Sequence, residues 1–113
     1  GGSGNDTLTG GSGQDIFRFA DSINTSNIDK ITDFVVVDDT IQLSHTYFTS
    51  LSVAGGNYFH LGTAAVGVND FILYNPSTGV LSYDADANGQ GSAVHIATLG
   101  TSLTLTNADF MVI

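Results

Sequence analysis

Residues 1–9 read GGSGNDTLT and residues 10–18 read GGSGQDIFR, two consecutive copies of a nonapeptide GGxGxDxUx in which U is a large apolar residue. Such a period constrains the fold more than any other feature of the chain, because each copy is too small to bury its apolar side chain alone and must stack on a neighbour. The glycines permit backbone angles closed to other residues, so a tight turn can aim its carbonyl oxygens inward. Asp6 and Asp15 add carboxylates to these turns, and Leu8 and Phe17 fall where the short strand after each turn directs a side chain inside. A flexible Gly/Ser linker is the competing reading of a glycine-rich segment, and two adjacent matches to one motif make it the weaker one.

After the repeats the pattern becomes that of short strands. IFRF at residues 16–19 alternates, with Ile16 and Arg18 on one face and Phe17 and Phe19 on the other. DKITDF at 29–34 and DDTIQL at 38–43 are two further strand candidates with acidic ends, and residues 45–51 suit a helical turn before the Gly55–Gly56 break. Beyond that break, FHLGTAA leads into a meander of FILY, VLSYDAD and AVHIATL. Its turns are marked by Asn75, Pro76 and Gly79 and then by Asn88, Gly89 and Gly91. A last strand pair is expected from SLTLT and FMVI. Helix signals are nearly absent, so the class is all-β: a short parallel β-roll running into an antiparallel sandwich or meander cap. The core is expected from Phe34, Ile41, Leu43, Phe59, Ile72, Leu81, Tyr83, Val94, Ile96, Leu99, Leu105 and Phe110.

Charge narrows the choice of partner. All eleven acids among the 113 residues are Asp, against Arg18 and Lys30 as the only permanent cations, a formal net charge of −9. Nucleic acid and anionic membranes are poor partners for such a chain, and no apolar run approaches the roughly twenty residues that span a bilayer. Asp holds its carboxylate close to the backbone in turns, a geometry suited to hard, oxygen-seeking cations. With no Cys in the chain, thiolate metal sites and disulfides are excluded, and oxygen-only ligation favours calcium over zinc or copper. Two facing carboxylates about 5 Å apart repel by about 3 kcal/mol at an effective dielectric of about 20, so stacked turns call for a cation.

These features resemble the carboxy-terminal region of RTX (repeats-in-toxin) proteins exported by bacterial type I secretion, similar to the serralysin-type C-terminal β-roll. The resemblance is carried by the two nonapeptides, IDKITDFVVVDDTIQLS at 28–44, FILYNPSTGVLSYDADANGQGSAVHIATL at 71–99 and LTNADFMVI at 105–113. It implies a roll in which one coil takes two nonapeptides, so that same-side turns lie eighteen residues apart. Asp15 then falls over Asp33, and Asp6 over Asn24 with Asp21 nearby. It further implies calcium held by Asp6 and Asp15 with carbonyls around Gly2, Gly4, Gly11 and Gly13, and with Asp29 and Asp33 as additional ligands. The tail, Asp109 followed by Phe110, Met111, Val112 and Ile113, is similar to the family's uncleaved export signal.

The expectation is therefore a single non-catalytic module over 1–113, with calcium-binding rungs at 1–34 and an antiparallel cap with the secretion signal at 35–113. It belongs to a secreted, extracellular bacterial protein. Its partners are the type I secretion machinery and an upstream domain of the same polypeptide, since the chain opens on a repeat. A polysaccharide-binding module of a secreted enzyme is the alternative, with an extracellular polysaccharide as partner and Tyr47, Tyr58 and Tyr74 as an aromatic platform. A glycosidase is the third option, and no general acid for one is identifiable.

The remaining motifs carry less. Asp84, Asp86, Asn88 and Gly89 read DxDxNG, the opening of an EF-hand loop, but His95 stands where a bidentate Glu is needed. Asp38 and Asp39 read as exposed strand-end charges. His45, His60 and His95 lack ligand spacing, and His95 should point outward.

Overall fold

The structure, a computed structural model, describes residues 4–20, 28–49, 51, 58–62, 70–85 and 93–113. Among these lie nine strands: β1 (Thr7–Leu8), β2 (Ile16–Phe19), β3 (Asp29–Ile31), β4 (Thr40–Leu43), β5 (Phe59–Leu61), β6 (Ile72–Tyr74), β7 (Val80–Tyr83), β8 (Val94–Thr98) and β9 (Phe110–Val112). They form a six-stranded sheet in the order β1-β3-β8-β7-β6-β5 and a three-stranded sheet in the order β2-β4-β9.

The roll is parallel, as expected. β1 pairs with β3 and β3 with β8, while β2 pairs with β4 and β4 with β9, all parallel. In β2, Phe17 and Phe19 are buried while Ile16 and Arg18 face solvent. β6, β7 and β8 then form the antiparallel meander, with a register shift between Leu81 and Ser82. β8 thus has an antiparallel neighbour on one side and a parallel one on the other, and it joins the cap to the roll.

The coil is wider than an eighteen-residue period allows. Thr7 lies beside Lys30 and Ile16 beside Thr40, spacings of 23 and 24. The step from Thr7 to Ile16 keeps the nine residues of the repeat, but the step from Ile16 to Lys30, the partner of Thr7, takes fourteen. The added length falls in the connection after Phe19. Asp15 accordingly sits beside Asp39, not Asp33, and Asp6 beside Asp29, not Asn24; Asp21 and Asn24 lie outside the described residues.

Both sheets contribute to one core. Phe17, Phe19, Ile41, Leu43 and Phe110 from the small sheet meet Ile31, Ile72, Tyr74, Leu81, Tyr83 and Ile96 from the large one. Phe34, Leu99 and Leu105 are buried as expected, and Phe59 and Val94 are partly buried. Phe48 stacks edge-on against Tyr83 at 5.0 Å, and Ser44 O accepts from Phe48 N to close the turn over residues 45–47.

The C-terminal segment departs from a hairpin. SLTLT forms no strand; Leu105 is buried and Thr106 caps a 3-10 turn over Asn107–Asp109. Thr106 N donates to Asp109 Oδ2 at 2.8 Å and Ala108 N to Thr106 Oγ1 at 3.3 Å, a capping box that turns the chain into β9. β9 then adds in parallel to β4, and Phe110 packs on Phe59 at 5.0 Å.

In the β6–β7 connection, Asn75 O accepts from Gly79 N at 2.8 Å and Asn75 Oδ1 from Ser77 N at 3.0 Å. Gly79 has φ +80, and a Cβ there would collide with the Leu99 carbonyl. Gly79→Ala combines a left-handed penalty with a backbone clash. It should lower stability by about 2 kcal/mol or more, read as a fall in the thermal unfolding midpoint.

Candidate metal centre

The glycine turns adopt the backbone geometry that the nonapeptides require. Gly4, Gly11 and Gly13 have φ of +98, +89 and +90, with open space where a Cβ would stand, so backbone angle and not crowding demands glycine there. Gly10 is the opposite case: the Asp15 carboxylate lies against it and leaves no room for a side chain. Gly2 lies outside the described residues.

The coils are joined at equivalent positions by a repeated contact. Asp6 O accepts from Lys30 N at 2.8 Å, while Asp6 N donates to Asp29 Oδ1 at 3.0 Å. Asp15 O accepts from Thr40 N at 2.9 Å, while Asp15 N donates to Asp39 Oδ1 at 3.0 Å. Asp39 Oδ2 accepts in turn from Val35 N at 2.8 Å. Asp33 spans the glycine turn of the earlier coil, taking Gly10 N on Oδ1 at 2.9 Å and Gly11 N on Oδ2 at 2.7 Å.

Asp39 is therefore no exposed strand-end charge: it is 3% exposed and bonded through both oxygens, whereas Asp38 next to it is exposed. Asp29 is also buried, at 4%. Asp6 Oδ2 and Asp15 Oδ2 differ from all of these, being shielded from water with no hydrogen-bond partner among the described residues. Two such oxygens on consecutive glycine turns are donors that suit a hard cation, and calcium in particular. A cleft of about 420 Å³ opens beside Asp15, Asp38, Asp39 and Asp109. Among the described residues no three His, Asp, Glu or Cys side chains are placed to hold a metal ion by themselves, so a cation here would need backbone carbonyls as well.

The other expected positions fall elsewhere. Asp84 is buried at the end of β7, while Asp86, Asn88 and Gly89 lie outside the described residues. His95 is partly buried, with Nε2 2.9 Å from Thr98 Oγ1; His60 Nδ1 lies 3.6 Å from Asp70, and His45 Nδ1 2.6 Å from Ile113 O. An aromatic platform does not form. Tyr74 is fully buried and Tyr58 nearly so, with burial pushing the Tyr58 phenol up, and only Tyr47 is exposed.

Asp15 and Asp33 are perturbed in opposite directions. Loss of water around Asp15, reinforced by the charges of Asp39, Asp33 and Asp38, raises its carboxyl above the ordinary value. The Gly10 and Gly11 amides lower that of Asp33. The raised group contributes stability that is complete below the ordinary carboxylate value of about 4 and is lost as pH rises through its folded value; the depressed group does the reverse. In metal-free buffer at pH 7, Asp15→Asn should therefore raise the unfolding midpoint and Asp33→Asn lower it. The Asp15→Asn gain should vanish in thermal melts well below about pH 4.

No helix among the described residues is long and apolar enough to cross a membrane. No curated protein matches the chain. Residues 1–112 match the family described as "Peptidase M10 serralysin C terminal". That family covers the C-terminal, non-catalytic region of secreted peptidases and carries RTX-type repeats, in accord with the all-β fold and the two glycine turns. The chain belongs to the peptidase M10 serralysin C-terminal family.

Proposed function

We propose that the chain is a non-catalytic, calcium-responsive C-terminal module of a larger secreted bacterial protein. The observation that carries this reading is the pair of partnerless, shielded oxygens, Asp6 Oδ2 and Asp15 Oδ2, on two successive glycine turns. Calcium bound there supplies the positive charge that lets carboxylates and inward carbonyls of stacked turns lie close together. Asp6 and Asp15 lead into strands of different sheets and would each serve a separate site, the first with carbonyls around Gly2 and Gly4 and the second with carbonyls around Gly11 and Gly13.

Extracellular calcium modules have dissociation constants of roughly 0.1–1 mM, so the turns would be loose at cytosolic calcium and ordered outside the cell. That difference suits a polypeptide passed through a type I exporter before it folds. The tail at 105–113 would address the exporter, and residues 1–20 would continue a roll supplied by an upstream part of the same polypeptide.

At a hundredfold excess of calcium over its dissociation constant, linkage contributes about 2.7 kcal/mol per independent site. For a domain of this length that is a rise in the unfolding midpoint on the order of 10 °C, reversed by chelator. Circular dichroism melts in EGTA and in about 10 mM calcium, which is a hundredfold above a dissociation constant of about 0.1 mM, measure it, and the double variant Asp6→Asn, Asp15→Asn should lose most of the increment. A midpoint indifferent to calcium would remove this reading. For export, a reporter fused ahead of residue 1 should reach the medium in cells carrying a type I exporter; retention inside the cell counts against the targeting role.

A further inference from the structure

Five carboxylates of the two coils, Asp6, Asp15, Asp29, Asp33 and Asp39, divide into two groups by what their oxygens face. We infer that the last coil closes without a cation: Asp29, Asp33 and Asp39 hold it to the preceding coil by carboxylate-to-amide hydrogen bonds, and are locks, not ligands. The inference rests on the calcium reading only in assigning cation binding to Asp6 and Asp15.

Each of the three carboxylates belongs to the later coil and accepts an amide of the earlier one: Asp29 from Asp6 N, Asp39 from Asp15 N, and Asp33 from Gly10 N and Gly11 N. Asp39 and Asp33 have both oxygens engaged. Each accepted N–H places a positive hydrogen in one of its oxygen's two lone-pair directions, so these carboxylates offer a cation less charge and less room than a donor-free oxygen does. Asp6 Oδ2 and Asp15 Oδ2 carry no such donor.

Register supplies the reason. With spacings of 23 and 24, Asp33 moves out from over Asp15 and lands against the Gly10–Gly11 turn, where two amides donate to it. Asp39 fills the position over Asp15 but is turned into its own turn by Val35 N. The widened coil thereby exchanges a metal bridge for an amide bridge, and the roll ends on a rung that is set before any cation arrives.

The two roles have opposite signs in chelator. A ligand carboxylate left without its cation is repelled by its neighbours, so an Asn replacement is neutral or stabilising there. A lock carboxylate with two amide donors loses one bond on becoming Asn, and meets N–H with N–H. Asp33→Asn and Asp39→Asn in the full chain should lower the unfolding midpoint equally in EGTA and in millimolar calcium. Calcium titration should give dissociation constants within about twofold of the parent, whereas Asp15→Asn weakens binding about tenfold or more.

A rise in midpoint in EGTA, or about tenfold weaker calcium binding in Asp33→Asn or Asp39→Asn, overturns the inference while leaving calcium binding itself intact. A parent chain that binds no calcium overturns the functional reading, while the EGTA melts still decide the locks. Should Asp39→Asn fail to fold, amide exchange of the parent chain in EGTA decides: the Asp15 and Val35 amides should be strongly protected, and exchange at the unfolded-chain rate would refute the lock.

Discussion

Parallel strands joined by long connections have no hairpin turn to set their register, so something else must index one coil against the next. Here the index is a carboxylate reaching back to an amide. Asp29 holds Asp6 and Asp39 holds Asp15, at the position just before β1 or β2 in each case. A slip of one residue would turn Phe17, Phe19, Ile41 and Leu43 out of the core. Hydrogen bonds to a charged group contribute about 1.5–3 kcal/mol each, so the two buried carboxylates Asp29 and Asp39 supply enough to select the register, even though burying them is costly.

The rest of the molecule closes on this indexed pair of coils. β8 extends the β1–β3 ladder while also pairing with the meander, and β9 extends the β2–β4 ladder. The two ladders share one hydrophobic core. Residues of the tail belong to that core: Leu105 and Phe110 are buried, Asp109 is 8% exposed and bonded in the capping box, and Tyr58 N donates to Asn107 Oδ1 at 3.0 Å. The same few residues therefore finish the small sheet and fasten β5 to it.

Strands and core were legible in the sequence because alternation is a local property. IFRF, TIQL, VLSY and the apolar positions of the meander each announce their buried face within a few residues, and the Asn75–Gly79 turn carries its own chemistry. Register was not legible, because it depends on the length of the connection after Phe19, which has no motif and breaks the nonapeptide period. Asp39 was misread for a related reason: two adjacent acids look like a solvated surface unless the Asp15 amide of the earlier coil is known to lie over the second of them. The capping box did leave a signal, Thr106 followed three residues later by Asp109, although in the sequence it competed with a resemblance to an export tail. Tyr58 and Tyr74 are polar enough to suggest a surface, yet Tyr74 takes its hydroxyl to the Gly100 carbonyl and stays inside.

The absence of Glu now has a structural reason. Asp places its oxygens one methylene from the backbone, so a carboxylate on one coil reaches the amide of the adjacent coil at 2.7–3.0 Å without spanning further. Glu would carry an additional rotatable bond, lose more side-chain entropy on ordering, and reach past the amide toward the next turn. With two permanent cations for eleven acids, the chain cannot neutralise its coils by ion pairing. Backbone dipoles are the neutralising groups it does possess, and they serve Asp29, Asp33 and Asp39. On the two glycine turns those dipoles leave Asp6 Oδ2 and Asp15 Oδ2 without a donor among the described residues, and these are the oxygens to which the proposed calcium is assigned.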